Sequence, residues 1–164
     1  MAIESPDVNS PIRELVDGAF LELFYQEQIR AHPAISDTEL EQKADSLVRR
    51  TYLYRYWFIR NRLGRMLRDR REQLVELICV KGKYCERRAA AEGLDEWLVF
   101  IETLLHLVGH VFFPFSLAWL LVTGAFDELC GCKSKVIDRM RQLLRRLKEL
   151  YWPTPQTIRE KRDE

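Results

Sequence analysis

The amino-acid sequence predicts an all-α fold. Its 164 residues include only 7 Gly and 6 Pro, which are fewer turn residues than an all-β domain of this length needs. Apolar residues recur at the three- and four-residue spacing of amphipathic helices along most of the chain. We therefore expect a single domain, residues 1–164, in which about six or seven amphipathic helices form a bundle around one central hydrophobic helix.

Two long helices are predicted in the N-terminal part of the chain. The first covers about residues 11–31 and stops before Pro33, because the residue before a proline disfavours the helical conformation. The second begins at Ser36, which forms a capping box with Glu39, and apolar residues then mark one face to about Gly64.

The helical pattern continues beyond these two helices. It extends to about Val80, and a turn with a brief helix is expected between Gly82 and Gly93. A last amphipathic helix is predicted over residues 134–151, where apolar side chains form one stripe and basic side chains lie mostly elsewhere. It ends before Pro153.

A hydrophobic stretch lies between the brief helix and the last one. From Leu107 to Phe126 there are 20 residues without Lys, Arg, Asp or Glu, which is the length of a transmembrane helix. The alternative is a helix buried on all sides within a bundle. His110 inside the stretch, Pro114 in its middle and the apolar faces of the flanking helices favour the buried helix.

The cysteines indicate the compartment. Four cysteines are too few for a small disulfide-stapled scaffold, and the first residues lack the basic and apolar parts of a secretory leader. We therefore expect a cytoplasmic chain whose thiols are buried as small apolar groups. The spacings from Cys79 to Cys85 and from Cys130 to Cys132 differ from those of structural zinc sites, so neither a metal nor another cofactor is expected.

Few residues suggest catalysis. Glu102, His106 and His110 are spaced to align on one helix face, which resembles half of a metal site. No second segment supplies the other ligands, so we interpret both histidines as buried or boundary residues hydrogen-bonded within the core. Phosphate-binding loops, nucleophile elbows and Cys–His pairs are absent from the sequence, and we predict that the protein is not an enzyme.

One basic segment favours an alternative function. Residues 49–88 contain 13 basic side chains against Asp69, Glu72, Glu76 and Glu86, with aromatic residues interleaved at the start. Arginine and aromatic side chains on one surface grip phosphates and stack on bases, so residues 49–71 define a possible helical nucleic-acid-binding subunit. The net charge of +1 argues against it, and nucleic acid is not an expected partner.

The central region resembles a known family. The run from Leu107 to Phe112 is similar to the end of the fourth core helix in Bok-like members of the Bcl family of apoptosis regulators. A similar Gly-His-aliphatic-Phe run leads there into the first Bcl-homology region, whose Phe and Trp stand six residues apart, as Phe113 and Trp119 do here. Residues 37–40 and the Tyr- and Arg-rich residues 50–55 resemble the first core helix of Bok and Bak. The resemblance covers about residues 37–155, and the helix at 11–31 is an N-terminal addition.

The resemblance implies a function in protein binding. A Bcl-type apoptosis regulator accepts an amphipathic helix in a hydrophobic surface groove, and its partners are pro-apoptotic or other Bcl family proteins. The groove would lie between the helix near residues 63–80 and the segments 97–112 and 115–126. The resemblance also admits association with the mitochondrial outer membrane or another intracellular membrane. The candidate groove residues are Phe100, Leu104, Val108, Phe112, Phe113 and Trp119.

Several residues depart from the family pattern. The Arg that pairs with the Asp of a bound helix is replaced by Leu121, and the Gly-Gly-Trp of the second homology region by residues 150–152. Arg65 or Arg68 is the candidate substitute partner for that acid. We therefore expect binding that is weaker or more selective than is usual in the family, and both a pro-survival and a pore-forming role stay open.

Overall fold

The computed structural model describes residues 11–108, 114–122, 124–132, 145–149 and 151–163. Within these residues the chain is a bundle of helices without a strand, so the predicted all-α class is confirmed. The elements are α1 (Pro11–Ala31), α2 (Asp37–Val48), α3 (Tyr52–Asp69), α4 (Arg71–Leu74), a π-helix (Val75–Lys81), α5 (Tyr84–Ala90), α6 (Leu94–Val108), α7 (Pro114–Val122), α8 (Ala125–Cys130), α9 (145–149) and α10 (Pro155–Asp163).

Helix α1 confirms the first prediction and packs against α3 and α7. Its buried face includes Leu15, Ala19 and Phe20. A Cβ atom at Gly18 would lie 2.5 Å from the ring of Phe115, so only glycine allows α1 and α7 to approach this closely.

The prediction of one continuous helix from Ser36 to Gly64 is wrong, because the helix is interrupted between α2 and α3. Arg55 in α3 is 1% exposed, and its guanidinium donates to the carbonyl oxygens of Val48 and Arg50. It also pairs with Asp17 of α1. The last carbonyls of α2 lack intrahelical partners, so the guanidinium satisfies them and fixes the break against α1.

The segment after α3 is helical, as predicted, but not uniformly α-helical. The chain passes through α4 into a π-helix that ends at Lys81. The brief helix expected between Gly82 and Gly93 is α5, so that prediction is confirmed.

Helix α7 is buried on every side over its described side chains. The six consecutive residues 115–120 are each at most 3% exposed. Six residues cover more than one full turn, so no face of this part of the helix meets solvent. The expectation of a buried helix is confirmed for these residues. Among the described residues, no helix combines the length and apolar character that a membrane crossing requires.

The C-terminal part differs from the prediction at one helix. Most of the predicted helix at 134–151 lies outside the described residues, although 145–149 are helical. Beyond it the chain forms α10, which the sequence analysis does not predict, because a proline such as Pro153 indicates the end of a helix. The Oγ1 of Thr154 accepts the backbone N–H of Thr157 at 3.2 Å, so Thr154 caps α10 and Pro155 begins it.

Candidate functional site

The predicted groove residues whose side chains the structure describes lie in the core and do not line an open groove. Phe100 and Leu104 in α6 and Trp119 in α7 are buried in the hydrophobic core. Val108 is the last residue of α6, and residues 112–113 lie outside the described residues. A partner helix would reach the three buried side chains only if the elements that cover them moved apart.

The two aromatic groove candidates that are buried, Phe100 and Trp119, belong to separate aromatic clusters. The Phe100 ring lies 5.5 Å from the ring of Tyr84 in α5, and the Tyr84 ring lies 5.7 Å from that of Phe126 in α8. The Trp119 ring instead meets the ring of Tyr56 in α3 edge-on at 5.5 Å. The first cluster joins α6 to α5 and α8, and the second joins α7 to α3.

The two candidate acid partners are exposed on α3. Arg65 and Arg68 both reach solvent. Arg65 borders a cleft of about 800 Å³ between α1 and α3, where Arg62 pairs with Glu27 at 2.7 Å. The other residues that line this cleft are Leu23, Gln26, Arg30, Ala31, Met66, Asp69 and Arg70. Arg65 therefore already lies among several cations and two carboxylates.

A buried polar network joins α5 to α8. Arg88 pairs with Asp127, and both side chains are below 10% exposed. The hydroxyl of Tyr84 donates to the same carboxylate at 3.0 Å. Burial raises the pKa of Tyr84, and the neighbouring carboxylate raises it further, so the phenol stays protonated. The sequence contains no local signal for this network, because Arg88 and Asp127 are 39 residues apart.

Two disulfides join the same two parts of the chain. Cys79 pairs with Cys130 and Cys85 with Cys132, with Cα–Cα distances of 5.3 Å and 5.6 Å. The expectation of free buried thiols is therefore wrong, because the packing of α8 brings residues about fifty positions apart within bonding distance. No group of metal ligands occurs among the described residues. The cytoplasmic location stays a prediction.

Removing one disulfide should destabilise the protein moderately. The double variant Cys79→Ser/Cys130→Ser should lose about 2–3 kcal/mol of unfolding free energy without reductant, measured by urea denaturation. The loss is limited because Cys85–Cys132 still closes nearly the same long loop. The variant Cys85→Ser/Cys132→Ser is the matched control and should lose a similar amount. Four thiols that react with iodoacetamide in unreduced, denatured protein would show that neither disulfide forms.

Two of the three residues that resemble half of a metal site lie at the surface. Glu102 and His106 of α6 are both exposed, while His110 lies outside the described residues. The interpretation of His106 as a buried or boundary residue is therefore wrong. These two side chains are on the solvent side of α6, away from the core face that holds Leu104.

A buried carboxyl group in α1 was not predicted. Glu22 is 2% exposed, and burial raises its pKa to about 8. Lys161 and the backbone N–H groups of Ser116 and Phe115, at the start of α7, offset this only in part. Its side chain also accepts a long hydrogen bond of 3.5 Å from Gln26. The carboxyl group is therefore mostly protonated at neutral pH.

This burial makes stability depend on pH. The pKa of Glu22 is about 8 in the fold against an ordinary 4.5, so the native state holds a proton that the unfolded chain releases between these values. The free energy of unfolding should therefore fall by about 1 kcal/mol between pH 6 and pH 7. The raised pKa of Asp17, also caused by burial, acts in the same direction at lower pH.

Thermal denaturation across this pH range tests the role of Glu22. Glu22→Gln should flatten the dependence, whereas the exposed control Glu102→Gln should leave it unchanged. A Glu22→Gln protein with the slope of the parent protein would contradict the assignment.

The basic and aromatic segment predicted from the sequence forms a defined surface on α3. Leu53, Tyr54 and Trp57 are 48%, 39% and 51% exposed. The guanidinium of Arg50 lies 5.1 Å from the Tyr54 ring centroid, and that of Arg60 lies 5.1 Å from the Trp57 ring centroid. We call these five residues, of which Arg50 lies just before the start of α3, the outer α3 face.

Comparison with known proteins identifies no relative. Searches against protein-family models, curated proteins and solved structures find no match to this chain. The described geometry defines a helical bundle with a buried apolar helix, a double disulfide link between the 79–85 segment and α8, and one exposed cationic and aromatic helix face.

Proposed function

We propose that the protein is a divergent apoptosis regulator of the Bcl type that binds an amphipathic helix from a partner protein. The observation that carries this proposal is the complete burial of residues 115–120 in α7. They overlap the segment that resembles the first Bcl-homology region, in which Phe113 and Trp119 keep the family interval. A bundle around a central hydrophobic helix is the architecture that the resemblance implies. Trp119, at the expected six-residue interval, lies in the core.

The elements that border the proposed groove carry exposed apolar residues. Val80 in the π-helix is 64% exposed, and Val99 in α6 is 63% exposed. The π-helix and α6 pack against each other, and the Leu107 side chain lies beside Gly82 at the end of the π-helix. An apolar side chain of a partner helix could therefore contact Val80 and Val99 at the rim of the proposed groove before the π-helix and α6 move apart.

The π-helix supports a movable groove wall. π-Helical geometry is rare in proteins. Where it does occur, it is frequently at a functional site. The buried side chain of Ile78 holds this segment in the core. Cys79 of the π-helix is bonded to Cys130 of α8, so the π-helix would have to move away from α6 while it stays bonded to α8. Such a displacement would uncover Leu104 and make room for the apolar anchors of a partner helix.

The proposal predicts restricted affinity. A family partner helix carries an Asp that pairs with an Arg, and that Arg is replaced by Leu121. Loss of a hydrogen bond to a charged group is worth about 1.5–3 kcal/mol. Binding should therefore be weaker or more selective than in the family, unless Arg65 or Arg68 takes the acid.

Calorimetry with peptides of about 25 residues that carry a third-homology motif tests the proposal. We expect at least one peptide to bind at micromolar concentration and to gain helical circular dichroism. A peptide whose four apolar anchors are replaced by Glu should not bind. Val80→Glu should weaken binding at least tenfold, because it places a charge at the apolar rim.

A matched variant separates the groove from the rest of the surface. Leu53→Glu changes an exposed apolar residue on α3 and should leave peptide affinity unchanged. The proposal fails if no peptide binds at concentrations up to about 500 µM, or if Val80→Glu and Leu53→Glu reduce binding equally.

A further inference from the structure

We infer that the outer α3 face is a docking surface for bilayers that contain anionic phospholipids. Its three apolar or aromatic residues, Leu53, Tyr54 and Trp57, are spaced one turn or less apart and share one side of the helix. Roughly half of the Leu53 and Trp57 side chains is exposed, whereas Ile59 and Leu63 on the opposite side are buried. The helix is thus apolar on its inner side and carries a second apolar strip on its outer side.

All charged residues of α3 before its last residue, Asp69, are basic. From Tyr52 to Arg68 the sequence has no acidic residue. Arg55 and Arg62 are engaged by carboxylates of α1, Asp17 and Glu27. In the part of the chain that the structure describes, no carboxylate forms an ion pair with Arg50 or Arg60, so the two guanidinium groups that flank the apolar strip are available to phosphate. A surface of this charge complements an anionic one.

The face is held in place before any ligand arrives. The ion pair between Arg55 and Asp17 ties α3 to α1, and the Phe58 ring meets the Phe20 ring edge-on at 5.2 Å. Arg50 and Arg60 already stack on Tyr54 and Trp57, which limits the conformations of all four side chains. Binding therefore needs little ordering of the surface.

A bilayer interface satisfies all three kinds of side chain on this face. Tryptophan and tyrosine favour the headgroup level, leucine enters the acyl boundary, and arginine binds lipid phosphate. Single-stranded nucleic acid would also bind arginine and stack on aromatic rings, but it offers no apolar phase to Leu53. Moreover, a guanidinium already covers one face of each ring, Tyr54 and Trp57. The exposed leucine thus favours lipid over nucleic acid.

Co-sedimentation of the full chain with vesicles tests this inference. We expect binding to vesicles of phosphatidylcholine and phosphatidylserine in a 3:1 ratio, and little binding to phosphatidylcholine alone. Trp57→Ala should lower the partition coefficient about tenfold, because it removes the largest apolar group. Arg60→Gln should lower the partition coefficient about fivefold, because one cation contributes about this much at an anionic surface. Raised salt should also lower the partition coefficient of the parent protein, because it screens the same attraction.

Matched variants control for exposed charge and exposed apolar surface elsewhere. Arg87→Gln in α5 and Val99→Ser in α6 change exposed residues outside the outer α3 face and should leave partitioning unchanged. Circular dichroism of every variant should match that of the parent protein.

Three results would overturn the assignment. The first is failure of the parent protein to bind the anionic vesicles. The second is a loss of binding in the control variants equal to that in Trp57→Ala and Arg60→Gln. The third is binding to a single-stranded oligonucleotide that is tighter than binding to the vesicles and that Trp57→Ala weakens. The last would make the outer α3 face a nucleic-acid surface. None depends on the proposed helix-binding groove, which peptide calorimetry without lipid tests separately.

Discussion

Trp119→Ala should lower the free energy of unfolding by about 3–5 kcal/mol. The side chain is 3% exposed, and its ring packs edge-on against Tyr56 of α3. Truncation removes a large apolar contact area and leaves a cavity between α7 and α3, which the surrounding helices refill only in part. A loss of this size is a large fraction of the total stability of an ordinary domain.

Urea denaturation monitored by circular dichroism measures this loss. Trp57→Ala is the matched control, because Trp57 is 51% exposed and its removal should change stability by no more than about 0.5 kcal/mol. Equal denaturation midpoints for Trp119→Ala and the parent protein would show that Trp119 does not lie in the core.

Arg88→Met should destabilise the protein by about 3–5 kcal/mol, because it leaves Asp127 buried without its cation. The hydroxyl of Tyr84 would still donate to the carboxylate, but one neutral hydrogen bond does not replace a buried charge partner. The same substitution at the exposed neighbour Arg87 should have little effect.

A double variant distinguishes the burial of a lone charge from the loss of packing. Arg88→Met/Asp127→Leu removes both charges and should recover much of the stability that Arg88→Met loses, since an apolar pair of similar volume often replaces a buried ion pair at little cost. If the double variant is less stable than Arg88→Met, the network between α5 and α8 contributes through its geometry rather than through charge compensation. Denaturation curves of the parent protein, Arg88→Met, Asp127→Leu and the double variant give this coupling directly.

The elements that the sequence predicts correctly depend on local patterns. Helix α1 follows from its apolar spacing, and the brief α5 from the two glycines that flank it. The start of α2 follows from the cap, in which Ser36 accepts the backbone N–H of Glu39. The burial of α7 also follows from a local property, because 20 residues without a charge have no side that prefers water. The missed helix α10 carried a local signal too, in the Thr-Pro pair at its start.

The candidate groove shows that the sequence did not separate exposed apolar residues from buried ones. Phe100 and Trp119 are apolar residues on helices, and that property alone does not separate a groove from a core. In the structure both are buried, in different aromatic clusters. The exposed rim residue Val80 was absent from the predicted set, because exposure depends on which helix packs over a given face.

Other features were decided only by the tertiary structure. The break between α2 and α3 depends on Arg55 reaching Asp17, 38 residues earlier in the chain. The disulfides join cysteines 51 and 47 residues apart, and the buried pair of Arg88 and Asp127 spans 39. Helical periodicity records which face of each helix is apolar, so the sequence by itself determined most of the helices and the burial of α7, but not the break between α2 and α3. It does not record which faces meet, because those contacts arise only when the whole bundle packs.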